Sequence, residues 1–194
     1  MIISMCDYSK LIVITNRQLC SGDFLEQLKM VARLQPRAII LREKDLDLDA
    51  YIVLAQKVKL ICQEAKVPLF IHGHIAIARK LNCSSIHLPF GVFAQESTEL
   101  KDFQEISVSC HSLEEALIAA RLGATQIVLG TIFATQCKPG KAGAGLGFVQ
   151  EVCRSCSIPV YAIGGINPQR LKDVLKAGAA GGCMMSGFMQ MSFL

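Results

Sequence analysis

The stretch 159–187 leaves this chain little choice of architecture. Residues 160–163 are a short apolar run with β-branched members, bounded by Pro159 and by Gly164-Gly165; that is too short for a helix and suits a buried strand. Asn167 reads as a helix cap with Pro168 at the first helical position. Leu171, Val174 and Leu175 then recur at helical spacing, and Gly178 ends the helix. Cys183-Met184-Met185 begins a second apolar strand. A strand that returns to its own sheet through a helix pairs in parallel. The two strand ends, Gly164-Gly165 and Ser186-Gly187, therefore open on one edge.

The same alternation runs through the whole chain. Strands are predicted at 11–15, 38–41, 67–71, 85–88, 106–110 and 125–133, before the two just described. Between them lie helices at 23–35, 49–65 and 76–81, a weakly helical segment at 93–103, and a helix from Ser112 to Gly123 that opens with a capping box, Ser112 standing three residues before Glu115. A polar, glycine-rich loop at 134–144 leads to a further helix ending near 154. Eight alternations without a break in composition predict a single (β/α)8 TIM barrel over 10–194, preceded by a lead-in over 1–9. Such barrels run to about 250 residues, and here only eight follow Ser186, so the eighth helix is cut short. Phe188, Met189, Met191 and Phe193 are left to cover that flank, unless a partner subunit does so.

Composition agrees and excludes other classes. Hydrophobic residues make up 52%, as expected of parallel strands buried on both faces. No run approaches the roughly 18 apolar residues of a membrane span, and the start lacks a basic segment followed by an apolar one, so a cytoplasmic chain is expected. The net charge of +4 is spread out, without the stripe that nucleic acid would need; it suits a small anionic ligand. Nine scattered cysteines do not form a disulfide framework. Cys153 and Cys156 form a CxxC without a second pair, so no zinc site is expected, and both read as small residues near a helix end.

In this architecture chemistry gathers where strands end. The residues placed there are Asn16, Arg17, Arg42, Lys44, His72, His74, His87, Ser109, His111, Thr131, Thr135, Cys137, Lys138, Gly164, Gly165, Met185 and Ser186. Cations, hydroxyls and all four histidines on one rim suit a phosphorylated heterocycle and proton transfer. The glycines let the backbone approach an anion with free N–H groups, and loops after strands seven and eight are the recurrent phosphate site of such barrels. Carboxylates near strand ends are confined to Glu43 and Asp45, so no metal site is expected. Plainer readings stand beside these: Gly164-Gly165 as a tight turn, residues 42–45 as a solvated turn, His87 and His111 as packed or capping residues.

From Leu11 to Gly187 the sequence resembles the thiamine phosphate synthase family, and especially its TenI-like branch, whose characterised members are thiazole tautomerases. The resemblance rests on Leu41-Arg42-Glu43-Lys44, Ser109-Cys-His-Ser-Leu-Glu-Glu-Ala116, Thr135-Gln-Cys-Lys-Pro-Gly140, Ala162-Ile-Gly-Gly-Ile166 and Met185-Ser186-Gly187. It implies a barrel fold, phosphate binding at Gly164, Gly165, Met185 and Ser186, and substrate contacts from Arg42, Lys44, Ser109, Thr131, Thr135 and Lys138. The ligand implied is a thiazole phosphate. Where the synthases read Gln-x-Arg-x-Lys this chain has Ile40-Leu-Arg42-Glu-Lys44; their Asn-Asp after strand three is His72-Gly73, and their aspartate after strand four is missing from Pro89-Phe-Gly-Val92. Mg²⁺ is a cofactor only under the synthase reading. The TenI-like base is a histidine just after strand six, where this chain has Thr131. Three readings follow: a tautomerase using His72, or else His111, as base; a synthase joining thiazole phosphate to a pyrimidine pyrophosphate; and a non-catalytic binding or regulatory protein. A homo-oligomer is left open.

Overall fold

The computed structural model describes residues 6–135 and 142–193. Eight strands form a closed parallel barrel in chain order: β1 (Leu11–Ile14), β2 (Ala38–Leu41), β3 (Leu69–His72), β4 (Ser85–Pro89), β5 (Glu105–Cys110), β6 (Gln126–Gly130), β7 (Val160–Ile163) and β8 (Gly181–Met184). The ring closes where Ile12 pairs with Cys183 and Val13 with Met184. The helices are α1 (Phe24–Arg33), α2 (Leu48–Ala65), α3 (Ile75–Lys80), α4 (Phe90–Glu96), α5 (Leu113–Arg121), α6 (Gly145–Ser155), α7 (Pro168–Lys176) and the short α8 (Ser186–Met189).

Local sequence explains the starts. Asp23, Asp47, Ser112 and Asn167 each accept a bond from the backbone N–H three residues on, at the heads of α1, α2, α5 and α7. Along the strands, the two-residue period divides the core in two. One set faces inward, where Ile12, Ile14, Ala38, Ile40, Phe70, Val128, Tyr161 and Cys183 fill most of the barrel. The other set faces outward and packs on the helices, with Leu28, Val31, Val58, Val149 and Val174 among its partners. On the β4–β6 side the buried residues include polar ones: Ser85, His87, Ser107 and Gln126.

β3 starts two residues later than expected, at Leu69, and β8 two residues earlier, at Gly181; the larger departures are at β6 and α4. β6 ends at Gly130 and not at residue 133, because the following segment folds over the end of β7: the N–H of Ile132 donates to the Ile163 carbonyl at 2.8 Å and that of Phe133 to Gly164 at 3.1 Å. The helical segment placed at 93–103 begins earlier, as α4, and ends in a 3₁₀ turn, Ser97–Glu99, with Phe93 and Leu100 as its buried anchors. The truncated eighth helix is present as expected. Phe188 and Met189 are buried, and Gln27 of α1 donates through Nε2 to the carbonyls of Phe188 and Met191 at 2.7 and 3.0 Å. The tail thus covers its own flank. Among the described residues no helix is long and apolar enough to cross a membrane.

Candidate active site

A cavity of about 360 Å³ opens at the C-terminal ends of the strands. Arg42, Lys44, His72, Ser109, His111, Thr131, Thr135, Gly164, Gly165, Met185 and Ser186 all line it, together with His87, Ile163, Ile166 and Cys183. Lys138 and Cys137 lie outside the described residues.

The segment 42–45 splits by alternation. Arg42 and Lys44 reach the cavity, while Glu43 is 3% exposed and turned away from it. Its carboxylate accepts the Arg17 N–H at 3.0 and 3.1 Å, and Asp45 takes the Arg17 guanidinium at 2.6 and 2.7 Å. Arg17 therefore serves an ion cluster beside the site. Asn16 accepts the Gln18 N–H at 3.2 Å and also stands outside the cavity wall. The expectation that these two residues belong to the rim chemistry is corrected by their engagement with the neighbouring loop.

The histidines separate in the same way. His74 does not join the cavity; its ring lies 4.5 Å from that of Tyr51, whose hydroxyl donates to the Leu41 carbonyl at 2.7 Å. So three of the four, not all four, face the site. Burial, then the charges of Arg42 and Lys44, push His72 down to about 4, so its ring is neutral at physiological pH. The expectation of an unperturbed histidine there, with a pKa near 6.5, gives way to a weaker base. His87 lies 5.4 Å from it, ring to ring, and burial, then His72 and Arg42, push it down to about 3.

His111 lines the cavity, and the cap of α5 is its neighbour Ser112, which accepts the Glu115 N–H. The backbone N–H of His111 donates to the Glu115 carboxylate at 2.6 Å, while its ring Nδ1 meets the Gly130 carbonyl. A carbonyl only accepts, so Nδ1 carries a hydrogen, and in the neutral form of the ring Nε2 carries the lone pair.

Two strands along from His111, after β7, Gly164 and Gly165 have φ of +102° and +63°, a conformation that residues other than glycine rarely adopt. A Cβ on Gly164 would stand 2.4 Å from Thr131 Cγ2, and one on Gly165 would stand 2.9 Å from the Ala134 carbonyl oxygen. Among the described residues their N–H groups donate to no backbone carbonyl. The glycine pair lines the cavity, as Ser186 does.

Sequence reasoning passed over two contributors. Ser107 lies inside β5, and the pattern Ser107-Val-Ser109, which puts both hydroxyls on one face of a strand, was the signal for it. Arg170 donates to the Gly165 carbonyl at 2.8 Å.

An eight-stranded parallel barrel with cations, imidazoles and a glycine pair lining the cavity at its C-terminal mouth is the class this geometry defines. The chain belongs to the thiamine monophosphate synthase family, whose model matches residues 11–188. It is 34% identical over 182 residues to "Putative thiamine-phosphate synthase 2" of Aquifex aeolicus, covering 93% of this chain and 98% of the relative. It is 30% identical over 190 residues to the thiamine-phosphate synthase of Clostridium acetobutylicum, covering 94% and 88%. Among solved structures, the thiamine phosphate pyrophosphorylase from Pyrococcus furiosus aligns with a TM-score of 0.82 at 27% identity, over 96% of this chain and 90% of that one.

The Mg²⁺ implied by the synthase resemblance does not fit this donor set. Among the described residues no carboxylate lines the cavity and no group of three His, Cys, Asp or Glu side chains is placed to hold a metal, and Glu43 and Asp45 are held by Arg17. Imidazoles offer nitrogen and ammonium groups no lone pair to a hard cation that takes oxygen ligands, and neutral hydroxyls do not supply the negative charge of the missing carboxylates.

Proposed function

We propose that the cavity binds a thiazole phosphate, with the phosphate on the backbone of Gly164, Gly165 and Ser186 and the ring extending toward Arg42, Lys44 and the imidazoles. The observation that carries this reading is the pair of positive-φ glycines that line the cavity with Ser186 and whose N–H groups, among the described residues, donate to no backbone carbonyl. The family membership and the relatives' names support one reaction for such a ligand, the formation of thiamine phosphate. In it the thiazole nitrogen bonds to the exocyclic carbon of a pyrimidine pyrophosphate, and diphosphate leaves with the electron pair of the broken C–O bond. This chain's own contribution to the leaving charge is Arg42 and Lys44.

A second reading, a TenI-like tautomerase, is supported by a different observation: the Nε2 lone pair of a neutral His111, oriented by the Gly130 carbonyl, and a neutral His72 in the same cavity. These groups suit removal and return of a carbon-bound proton on a thiazole carboxylate phosphate. Thr131 cannot act as base near neutral pH.

One experiment separates the readings. Thiazole phosphate and pyrimidine pyrophosphate are incubated with the protein, with and without Mg²⁺, and thiamine phosphate is followed; in parallel, exchange of the ring-bound proton of thiazole carboxylate phosphate is followed in D₂O. Coupling at a rate of order 1 s⁻¹ supports the transferase, and exchange without coupling supports the tautomerase. Binding with neither supports a regulatory protein. Added Mg²⁺ is expected to change the coupling rate little.

A further inference from the structure

The cavity floor carries a hydrogen-bonded row that neither proposed reaction uses. His87 is 3% exposed and has both ring nitrogens engaged: Nδ1 lies 2.8 Å from Ser107 Oγ and Nε2 lies 2.8 Å from Ser109 Oγ. The three meet because His87 stands in register with Ser107, and Ser109 lies two residues further along the same face of β5. Ser107 is fully buried, whereas Ser109 lines the cavity.

Counting protons orders the row. His87 is neutral, because burial and the nearby His72 and Arg42 disfavour its charged form, so the ring has one N–H and one lone pair. If Nδ1 held the hydrogen it would donate to Ser107, and the hydroxyl hydrogen of Ser107 would then need a second acceptor. Among the described residues Ser107 Oγ has no partner other than His87. A buried hydroxyl hydrogen without an acceptor is disfavoured. The opposite order strands nothing: Ser107 O–H donates to Nδ1, Nε2–H donates to Ser109 Oγ, and the one hydrogen left over is that of Ser109, which faces the cavity.

We propose that Ser107 and His87 are positioning residues that make Ser109 a dedicated hydrogen-bond donor, so that the pocket selects ligands presenting an acceptor at that point, a carboxylate oxygen or an unprotonated ring nitrogen. The ligand preference rests on the thiazole phosphate reading. The direction of the row does not, since it is a property of the ligand-free protein.

The test is nitrogen NMR of ¹⁵N-histidine-labelled protein without ligand. His87 is expected to give an N–H-type signal at Nε2 and a lone-pair signal at Nδ1; the reverse pattern overturns the proposal. Ser107→Ala is expected to mix the two patterns and to weaken binding of thiazole carboxylate phosphate about 3- to 10-fold with Ser109 intact, and Ser107→Thr, which keeps the hydroxyl, to restore both. A folded Ser107→Ala variant with wild-type affinity overturns the selective role. An Nε2–H ring in a protein that binds no thiazole phosphate supports the ordered row and overturns the ligand reading alone.

Discussion

The guanidinium of Arg170 donates through Nη1 to the carbonyl oxygen of Gly165 at 2.8 Å, and its central carbon stands 4.6 Å from the centre of the Phe133 ring. Arg170 belongs to the first turn of α7, where a cation opposes the helix dipole. What it gains there is a tie between the loops after β6 and β7, with the Gly165 carbonyl drawn toward the guanidinium.

Arg170→Met, which keeps length and loses the donor, is expected to weaken thiazole phosphate binding about tenfold by calorimetry. Arg170→Lys restores only part of it, because an ammonium cannot reproduce the flat stacking on Phe133. Unchanged affinity in Arg170→Met would show that the Gly165 peptide is held by the fold alone.

Gly164 and Gly165 respond to substitution in separable ways. Gly164→Ala forces a side chain into φ +102° and against the Thr131 methyl, a strain of about 1–3 kcal/mol, and is expected to lower the melting temperature by roughly 2–10 °C. Gly165→Val meets the Arg170 guanidinium and the Ala134 carbonyl at the loop itself, so the expected loss is of phosphate binding beyond any change in stability. Thermal melts and calorimetry on the same preparations check both.

The buried rings make the fold acid-sensitive in a defined window. His72 titrates near 4 and His87 near 3, both below the ordinary value of about 6.5. Between those limits the unfolded chain binds protons that the folded chain refuses, so stability is intact above about pH 6.5 and is lost as pH falls, at about 1.4 kcal/mol per pH unit for each ring. Urea unfolding from pH 7 to pH 4 measures the slope. His87→Asn is expected to flatten it, and a pH-independent midpoint in wild type would contradict the burial argument.

If proton exchange on thiazole carboxylate phosphate occurs, His111→Asn is expected to reduce it by about 10²–10⁴-fold, because its Nε2 lone pair is the one oriented by the Gly130 carbonyl. His72→Asn is expected to cost less, since a ring titrating near 4 is a weak base. Full activity in both variants would remove these residues from the mechanism.

The parts of this molecule that could be read in the sequence are those where one local rule decides. β2 and β7 have the predicted bounds because each is a run of four apolar residues with a clear stop on both sides, Pro36-Arg37 and Arg42 for β2, Pro159 and Gly164 for β7. β6 was read too long because Thr131, Ile132 and Phe133 continue its apolar pattern while the chain has already folded over β7. His74 was placed on the rim by its nearness to β3, and only the Tyr51 ring, brought from α2, shows where it packs. The partition of residues 42–45 between cavity and ion cluster depended on Arg17, a partner 26 to 28 residues away that spacing alone does not reveal.

The phosphate site proposed at Gly164, Gly165 and Ser186 is tested most directly by comparing a phosphate ester with its alcohol. Thiazole phosphate and the same thiazole alcohol without its phosphate are titrated into ¹⁵N-labelled protein while backbone amide signals are followed. The expected result is binding of the phosphate ester at least about 100-fold tighter than the alcohol, a difference of some 2.7 kcal/mol, with the largest shifts at the Gly164, Gly165 and Ser186 amides. Equal affinity for the two compounds, or shifts confined to the Arg42 and Lys44 side of the cavity, would contradict it.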